Sequence, residues 1–472
     1  MVTLANAAPR SVWATTALFA LGAAAVVGAR PGGRGAVRAL LFPSQASVSA
    51  QRAAGPLRAS ASAQSVAEPT ATLAPLPQRW SVRAPTDRAV FAIEERGAAR
   101  GDAGDAGAPA LLRSFFERLA SLERAERAIV RVAHIGDSIV ADDKITRRLR
   151  QRLQQEFGDA GLGWLYAQRP TRWYHPRGVR YDASGFALTS VVDARSEDAR
   201  YGAGAAAFDA RTSGAIATVT VPSATRATVY ALADRAVSVR FDGGAWSALV
   251  DGVASAQLAA GAHTINLRAE SQGSRLFGLS VESGARGVIV DNLGLVGSSA
   301  RSLSHQDPAH WEQSLRSLSL DLAVISLGTN DSSHGPIWPA QRPQLEEDHA
   351  QLYALAKRVA GACLVLLPPD SAEERGGPLG TRVALPVILE AQRRAAERAG
   401  CAVWDTWRWM GGRNAIVRWR SLGLADGDYT HLTDAGAARI ADAVADALLS
   451  ARDAFVARAA TASDGGSNAR DR

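Results

Sequence analysis

Lysine is almost missing from this chain: Lys144 and Lys357 are the only two among 53 basic residues. The arginines carrying the remaining positive charge are scattered singly, and no basic run interleaves with aromatic side chains. The formal charge of +7 and pI near 9.9 therefore do not read as a nucleic-acid footprint, and no nucleic-acid partner is expected. A general attraction to anionic envelope polymers fits the charge. Cysteine is as scarce. Cys363 and Cys401 stand alone without clustered histidines, which argues against a cysteine-based zinc site. Each opens a short apolar run, so the favoured reading is two buried free thiols. The alternative is a bridge between neighbouring parallel strands in an oxidising compartment. Very long apolar runs are also lacking.

The longest is residues 13–29, preceded by Arg10 and followed by Arg30, Arg34 and Arg38. It is short for a membrane span and long for a signal-peptide core. Val27-Gly28-Ala29 offers a cleavage site, so residues 1–40 fit either a signal peptide or a membrane anchor, although the following arginines weaken export. Residues 41–105 are expected to be a disordered linker, because the Ala, Ser, Pro and Gln that dominate up to about residue 85 bury too little surface to offset ordering entropy. Together these segments point to the cell envelope or periplasm, with attachment to a membrane through residues 13–29 as one option.

What the rest contains is ordinary for globular protein, with 47% hydrophobic and 21% charged residues, enough to bury a sizeable core. Residues 106–159 and 286–455 alternate apolar β-rich runs with helical periodicity, which predicts an α/β domain with a parallel sheet covered on both faces. Residues 160–285 change character. Short alternating runs such as 216–221, 227–230, 237–241, 264–267 and 276–281 are punctuated by Asp242-Gly243-Gly244 and Ala260-Gly261-Ala262, which predicts an all-β sandwich inserted into the α/β domain. Residues 456–472 are polar and expected to be a disordered tail.

A hydroxyl nucleophile needs a base, an acid orienting that base, and donors for the developing oxyanion. Ser138 directly follows the β-rich run 129–135, where a turn would expose its hydroxyl and its own backbone N–H. Asp428-Tyr429-Thr430-His431 precedes the last helix at a spacing that lets the carboxylate reach the imidazole. Gly297 can present a backbone N–H and Asn330 a side-chain donor. The chain here resembles the SGNH, or GDSL-like, hydrolase superfamily. Gly136-Asp137-Ser138 resembles its first block, Gly297 its second, Gly328-Thr329-Asn330-Asp331 its third, and Asp428 to His431 its last, in the family's order. The resemblance implies a flavodoxin-like three-layer α/β/α fold and catalysis by Ser138, Asp428 and His431. It further implies an oxyanion hole from Ser138, Gly297 and Asn330, with no cofactor or metal.

A narrower resemblance is to envelope esterases that remove O-acetyl groups from peptidoglycan, in which a β-sandwich similar to a carbohydrate-binding module follows the first block. The stretches Phe157 to Gly163, Val290 to Gly294 and Met410-Gly411-Gly412 are similar to that group, whereas Ile139 stands where many relatives have histidine. The expected activity is hydrolysis of O-acetyl esters on an envelope polysaccharide, most readily peptidoglycan. A lipase or thioesterase of the same fold, a polysaccharide O-acetyltransferase and a non-catalytic glycan-binding protein are the alternatives. A second Asp-x-x-His, Asp307 to His310, is a rival acid–base pair, disfavoured because it precedes the third block. His134 and His334 read as structural or substrate-facing. Trp404, Trp407, Trp409 and Trp419 offer either sugar-stacking surfaces or core packing, the latter at least equally for Trp404.

Overall fold

The computed structural model describes residues 91–95, 110–374 and 377–467, with side chains as far as residue 459. The chain divides into Met1–Thr70 and Ala71–Arg472, and every described residue belongs to the second unit. The apolar stretch 13–29 lies outside the described residues, as does nearly all of the expected linker. Among the described residues no helix is long and apolar enough to cross a membrane.

Five strands form the central sheet: β1 (Ile129–Gly136), β2 (Gly287–Gly294), β3 (Leu322–Ser326), β4 (Cys363–Leu366) and β5 (Ala402–Trp404). Their order is β2-β1-β3-β4-β5 and every pairing is parallel. This is the flavodoxin-like order, in which the chain winds one way from β1 to β2 and the other way from β3 onward. Strands this rich in Val, Ile and Leu are suited to burial on both faces. Val130, Val132, Val290 and Val324 pack with Leu149 and Leu153 of helix α1 (Lys144–Phe157) and with Ile440 and Val444 of the last helix. Ala133, Ile135, Ile325 and Val365 belong to the opposite core, with Leu352 of α3 (Arg342–Ala360), Leu389 of α4 (Leu385–Ala399) and much of the insert. Between β2 and β3 runs α2 (Pro308–Arg316).

The inserted region forms one nine-stranded, mainly antiparallel ladder. Its spine is two long strands, Ile216–Ala231 and Val253–Ala269, paired along most of their length. The expected runs 216–221 and 227–230 are therefore one strand. Pro222 and Ser223, which look like a turn, are absorbed at register shifts between Val221 and Arg226. Ala260-Gly261-Ala262 is likewise inside a strand, where Gly261 (φ +145) faces Ala224 across the irregular stretch. The first half of the spine pairs with Arg180–Ser184 and Val237–Phe241, and the second with Arg275–Glu282.

Insert and sheet share a buried seam. Arg131 on β1 donates through Nε to Asp291 Oδ2 (2.7 Å) and through Nη2 to Asp291 Oδ1 (2.9 Å) and Ser280 Oγ (2.6 Å). Asp291 Oδ1 also accepts the backbone N–H of Trp164 at 2.7 Å. The Val290 to Gly294 stretch thus earns its place by holding the two parts together.

Three expectations need correction. Residues 91–95 of the expected linker dock on the sheet: Glu94 and Val403 exchange backbone hydrogen bonds, and Phe91 lies edge-on to Trp404. Phe91 and Ile93 supply apolar cover for the otherwise open edge of β5. The last helix, Asp434–Ser467, runs well past the expected start of the tail, because the alanine-rich stretch 454–462 favours helix more than its polarity disfavours order. Cys363 and Cys401 form a disulfide rather than two thiols, since the register of β4 and β5 sets their Cα atoms 5.0 Å apart.

Candidate active site

β1 ends at Gly136, where any side chain would collide with Val140 and with the Ser326 carbonyl, so the chain can turn sharply there. Asp137 caps the helical turn Ser138–Ala141 by accepting the Ile139 N–H at 3.0 Å. Ser138 is thereby lifted to the carboxyl end of β1, beside the point where the strand order reverses.

Asp428 and His431 arrive from the loop before the last helix. Ser138 Oγ lies 2.9 Å from His431 Nε2, and His431 Nδ1 lies 2.6 Å from Asp428 Oδ2. The other carboxylate oxygen, Asp428 Oδ1, accepts the backbone N–H groups of Thr430 (3.0 Å) and His431 (2.9 Å). Burial opposes ionisation of Asp428, yet its hydrogen bonds with the His431 side chain and the loop backbone outweigh that and hold the carboxyl well below the usual range. The same side-chain hydrogen bond raises His431 above its ordinary 6.5 against the opposing effect of burial, with the charges of Asp428, Asp137 and Asp142 adding to it. Asp428 therefore fixes the ring and stabilises its protonated form. Asp137 is buried and, chiefly for that reason, pushed up to about 7.

Gly297 follows β2 and Asn330 lies in the helical turn Thr329–Ser332 after β3, so both join Ser138 at the carboxyl end of the sheet. Gly297 has φ +84, and a Cβ there would lie 3.0 Å from Val192 Cγ1 of the insert. Conformation and space both favour glycine. The loops are linked through Ser298, which sequence reasoning did not single out. Its hydroxyl donates to the Gly136 carbonyl (2.9 Å), and its own carbonyl accepts Asn330 Nδ2 (2.9 Å). An amide NH2 carries two protons, so Asn330 can make this bond and still donate to a bound oxyanion. The first of two serines after a glycine gives no sequence signal for such a role.

The other candidates lie elsewhere. Asp307 caps α2 by accepting the His310 N–H at 2.7 Å, while the His310 ring packs 5.4 Å from that of Phe277. His310 lines a cavity of about 220 Å³ between α2 and the insert, with Trp164 and Tyr230. His134 is buried with its ring nitrogens 2.9 Å from Thr146 Oγ1 and Ser326 Oγ, and burial lowers it to about 3, so it is structural. His334 is exposed on the loop after Asn330. Of the two readings of the tryptophans, core packing holds for most: Trp404, Trp409 and Trp419 pack successively at 5.6 and 5.9 Å, and Trp407 Nε1 donates to Asp370.

A serine, a histidine and an aspartate in hydrogen-bond sequence at the switch point of a flavodoxin-like sheet define the serine-hydrolase class of site. Comparison with known proteins narrows the class. The GDSL-like Lipase/Acylhydrolase family model matches residues 253–439, a span that includes Gly297, Asn330, Asp428 and His431 but stops short of Ser138. Among solved structures, one titled "Peptidoglycan O-acetylesterase in action" is 24% identical, with TM-score 0.60 over 71% of this chain and 95% of that one. An α/β hydrolase from the metagenome of Lake Arreo, Spain, is 21% identical over 35% of this chain and 73% of its own, with TM-score 0.26. A family two carbohydrate esterase from Cellvibrio japonicus is 12% identical over 59% and 99%, with TM-score 0.25. No curated protein matches the sequence. Residues 253–439 are thus similar to GDSL-like lipases and acylhydrolases and the fold is shared with the solved O-acetylesterase, and together these findings support an ester hydrolase.

Proposed function

We propose that this enzyme removes acetyl groups from hydroxyls of a cell-envelope polysaccharide, with peptidoglycan as the leading substrate and Ser138 as the nucleophile. The observation that carries the reading is the continuous line from Ser138 Oγ through His431 to Asp428. Ser138 Oγ attacks the acetyl carbonyl carbon as His431 Nε2 takes its proton, and Asp428 stabilises the imidazolium. The Ser138 and Gly297 N–H groups and the Asn330 amide hold the oxyanion, each worth roughly 3 kcal/mol by analogy with other acyl-transfer enzymes. Collapse expels the sugar oxygen, which takes the proton from His431. Water then attacks the acetyl-serine with His431 as base, releasing acetate and restoring Ser138.

Two observations support a polysaccharide rather than a small ester. Val192 of the insert lies against Gly297, so the insert reaches the loop assigned to the oxyanion, which suits contact with a substrate larger than the acetyl group. The structural neighbour aligned over 95% of its length is by title a peptidoglycan O-acetylesterase. An envelope location, with attachment through residues 13–29, agrees with such a substrate. The test is acetate release from O-acetylated peptidoglycan and O-acetylated xylan, alongside nitrophenyl esters of short and long acyl chains. Preference for long-chain esters would instead assign a lipase or thioesterase, and acetyl transfer to a glycan hydroxyl in excess over acetate release would assign a transferase.

A further inference from the structure

The loop carrying Asp428 and His431 is irregular, and Tyr429 within it has φ +52, a left-handed conformation that persists where the surroundings fix it. Two cations hydrogen-bond to this loop, one from the start of α1 and one from the segment before α4. Lys144, the first residue of α1, donates through Nζ to the Leu432 carbonyl at 2.7 Å and pairs with Asp142 at 3.1 Å. Arg382, just before α4, donates through Nη2 to Thr430 Oγ1 at 3.0 Å. Through Nη1 it donates to the Thr329 carbonyl (3.3 Å) and Ser332 Oγ (3.2 Å), both in the helical turn that carries Asn330.

We propose that Lys144 and Arg382 are positioning residues, a two-point clamp that holds His431 in line with Ser138. Lys144 ties the base loop to the nucleophile side, and Arg382 ties it to the oxyanion side. Neither belongs to the hydrogen-bond line from Ser138 to Asp428. Both act through charge-assisted hydrogen bonds to loop atoms flanking His431, which are stronger than neutral ones. The cations are not interchangeable. A lysine suffices where one carbonyl is the target, whereas contacts in two loops call for the planar fork of arginine. One of the chain's two lysines is therefore engaged at the catalytic centre. This inference rests on the reading of Ser138, Asp428 and His431 as the triad.

The test is steady-state hydrolysis of nitrophenyl acetate by the full chain carrying Lys144→Ala, Arg382→Ala or Thr430→Val, with melting temperatures measured in parallel. Thr430→Val removes the Arg382 acceptor while leaving the half-buried cation in place. Each change is expected to lower kcat by about 10-fold to 100-fold at nearly constant KM, the cost of a base displaced by about an ångström. Lys144→Arg should recover most of the loss and Arg382→Lys little of it. Arg316→Ala, at an exposed ion pair, is the control and should leave kcat unchanged. Wild-type kcat in variants that remain folded at the assay temperature overturns the clamp, as does a loss that only tracks the unfolded fraction. Ser138→Ala separates the two levels. An inactive Ser138→Ala beside fully active clamp variants removes the clamp alone, and an active Ser138→Ala removes the triad reading with it.

Discussion

The parallel sheet and the antiparallel insert are built on opposite plans. In the sheet, chemistry is local to strand ends, and each functional residue lies within a few positions of a strand or helix terminus. In the insert, two strands of sixteen and seventeen residues carry the pairing, and its contribution to the site comes from a loop side chain, Val192, packed beside Gly297. A parallel sheet concentrates reactive groups where strands end. An antiparallel ladder offers breadth, which suits a surface for an extended ligand more than a catalytic point.

The largest expected effect belongs to the sheet alone. Ser138→Ala should lower kcat by more than about 10³-fold while circular dichroism and melting temperature stay unchanged, because it removes one hydroxyl and little packing. His431→Ala should be nearly as damaging and His310→Ala nearly silent, which steady-state kinetics on equally folded variants will decide.

Next is the electrostatic coupling. His431 is the base only when neutral, and its pKa is raised above 6.5, so kcat/KM should decline as pH falls with a midpoint above that value. Asp428→Asn removes the negative partner that favours imidazolium. The acid limb should move to lower pH while kcat falls by up to about 10⁴-fold. A pH–rate profile of both forms checks the direction, and a limb that stays in place assigns it to another group.

The third change acts on the join between the regions. Asp291→Ala takes from buried Arg131 its hydrogen-bonded carboxylate and leaves only the Glu282 carboxylate at 3.6 Å, which should cost about 3 kcal/mol in denaturant unfolding. Nitrophenyl acetate turnover should hold at temperatures where the variant remains folded. The smallest effect concerns the insert alone. Trp173 is 56% exposed, and Trp173→Ala should reduce kcat/KM on acetylated glycan by a few-fold while sparing nitrophenyl acetate, since a small ester cannot use remote binding energy. Equal loss on both substrates would leave the insert with no part in positioning polymer.

The α/β alternation was legible from apolar runs and turns, and the Asp428–His431 pair from its three-residue spacing, whereas the meeting of Ser138 with His431 across 293 positions was implied by the resemblance to the SGNH family. Lys144, Ser298 and Arg382 were not legible, since each acts through atoms far away in sequence, and single polar residues carry no such address. The insert's strand count misled for a related reason. Pro222 and Gly261 read as turns, but long paired strands accommodate them as irregularities when partners on both sides hold the ladder together. The tryptophans of 404–419 could be read as sugar-stacking surfaces or as core, and only their mutual packing at Trp404, Trp409 and Trp419 separates the two. Residues 91–95 lie past the tether-like composition, but a run with only Phe91 and Ile93 as large apolar side chains is too short to signal a docked segment.

The seam between Arg131 and Asp291 joins residues 160 positions apart in sequence. That separation has a consequence for the order in which the molecule assembles. A flexible chain of such length closes slowly, because non-local contacts reward the polymer only after its ends have met. The insert begins and ends at the same place: the Gly158 carbonyl accepts the N–H of Val288, and Gly287 packs directly against Gly158. Once its hairpins have zipped, β1 and β2 are delivered side by side and their pairing becomes a short-range event. Refolding kinetics should therefore show the insert's ladder protected from hydrogen exchange before the β1–β2 pair, so that the accessory region acts as a scaffold for the catalytic one.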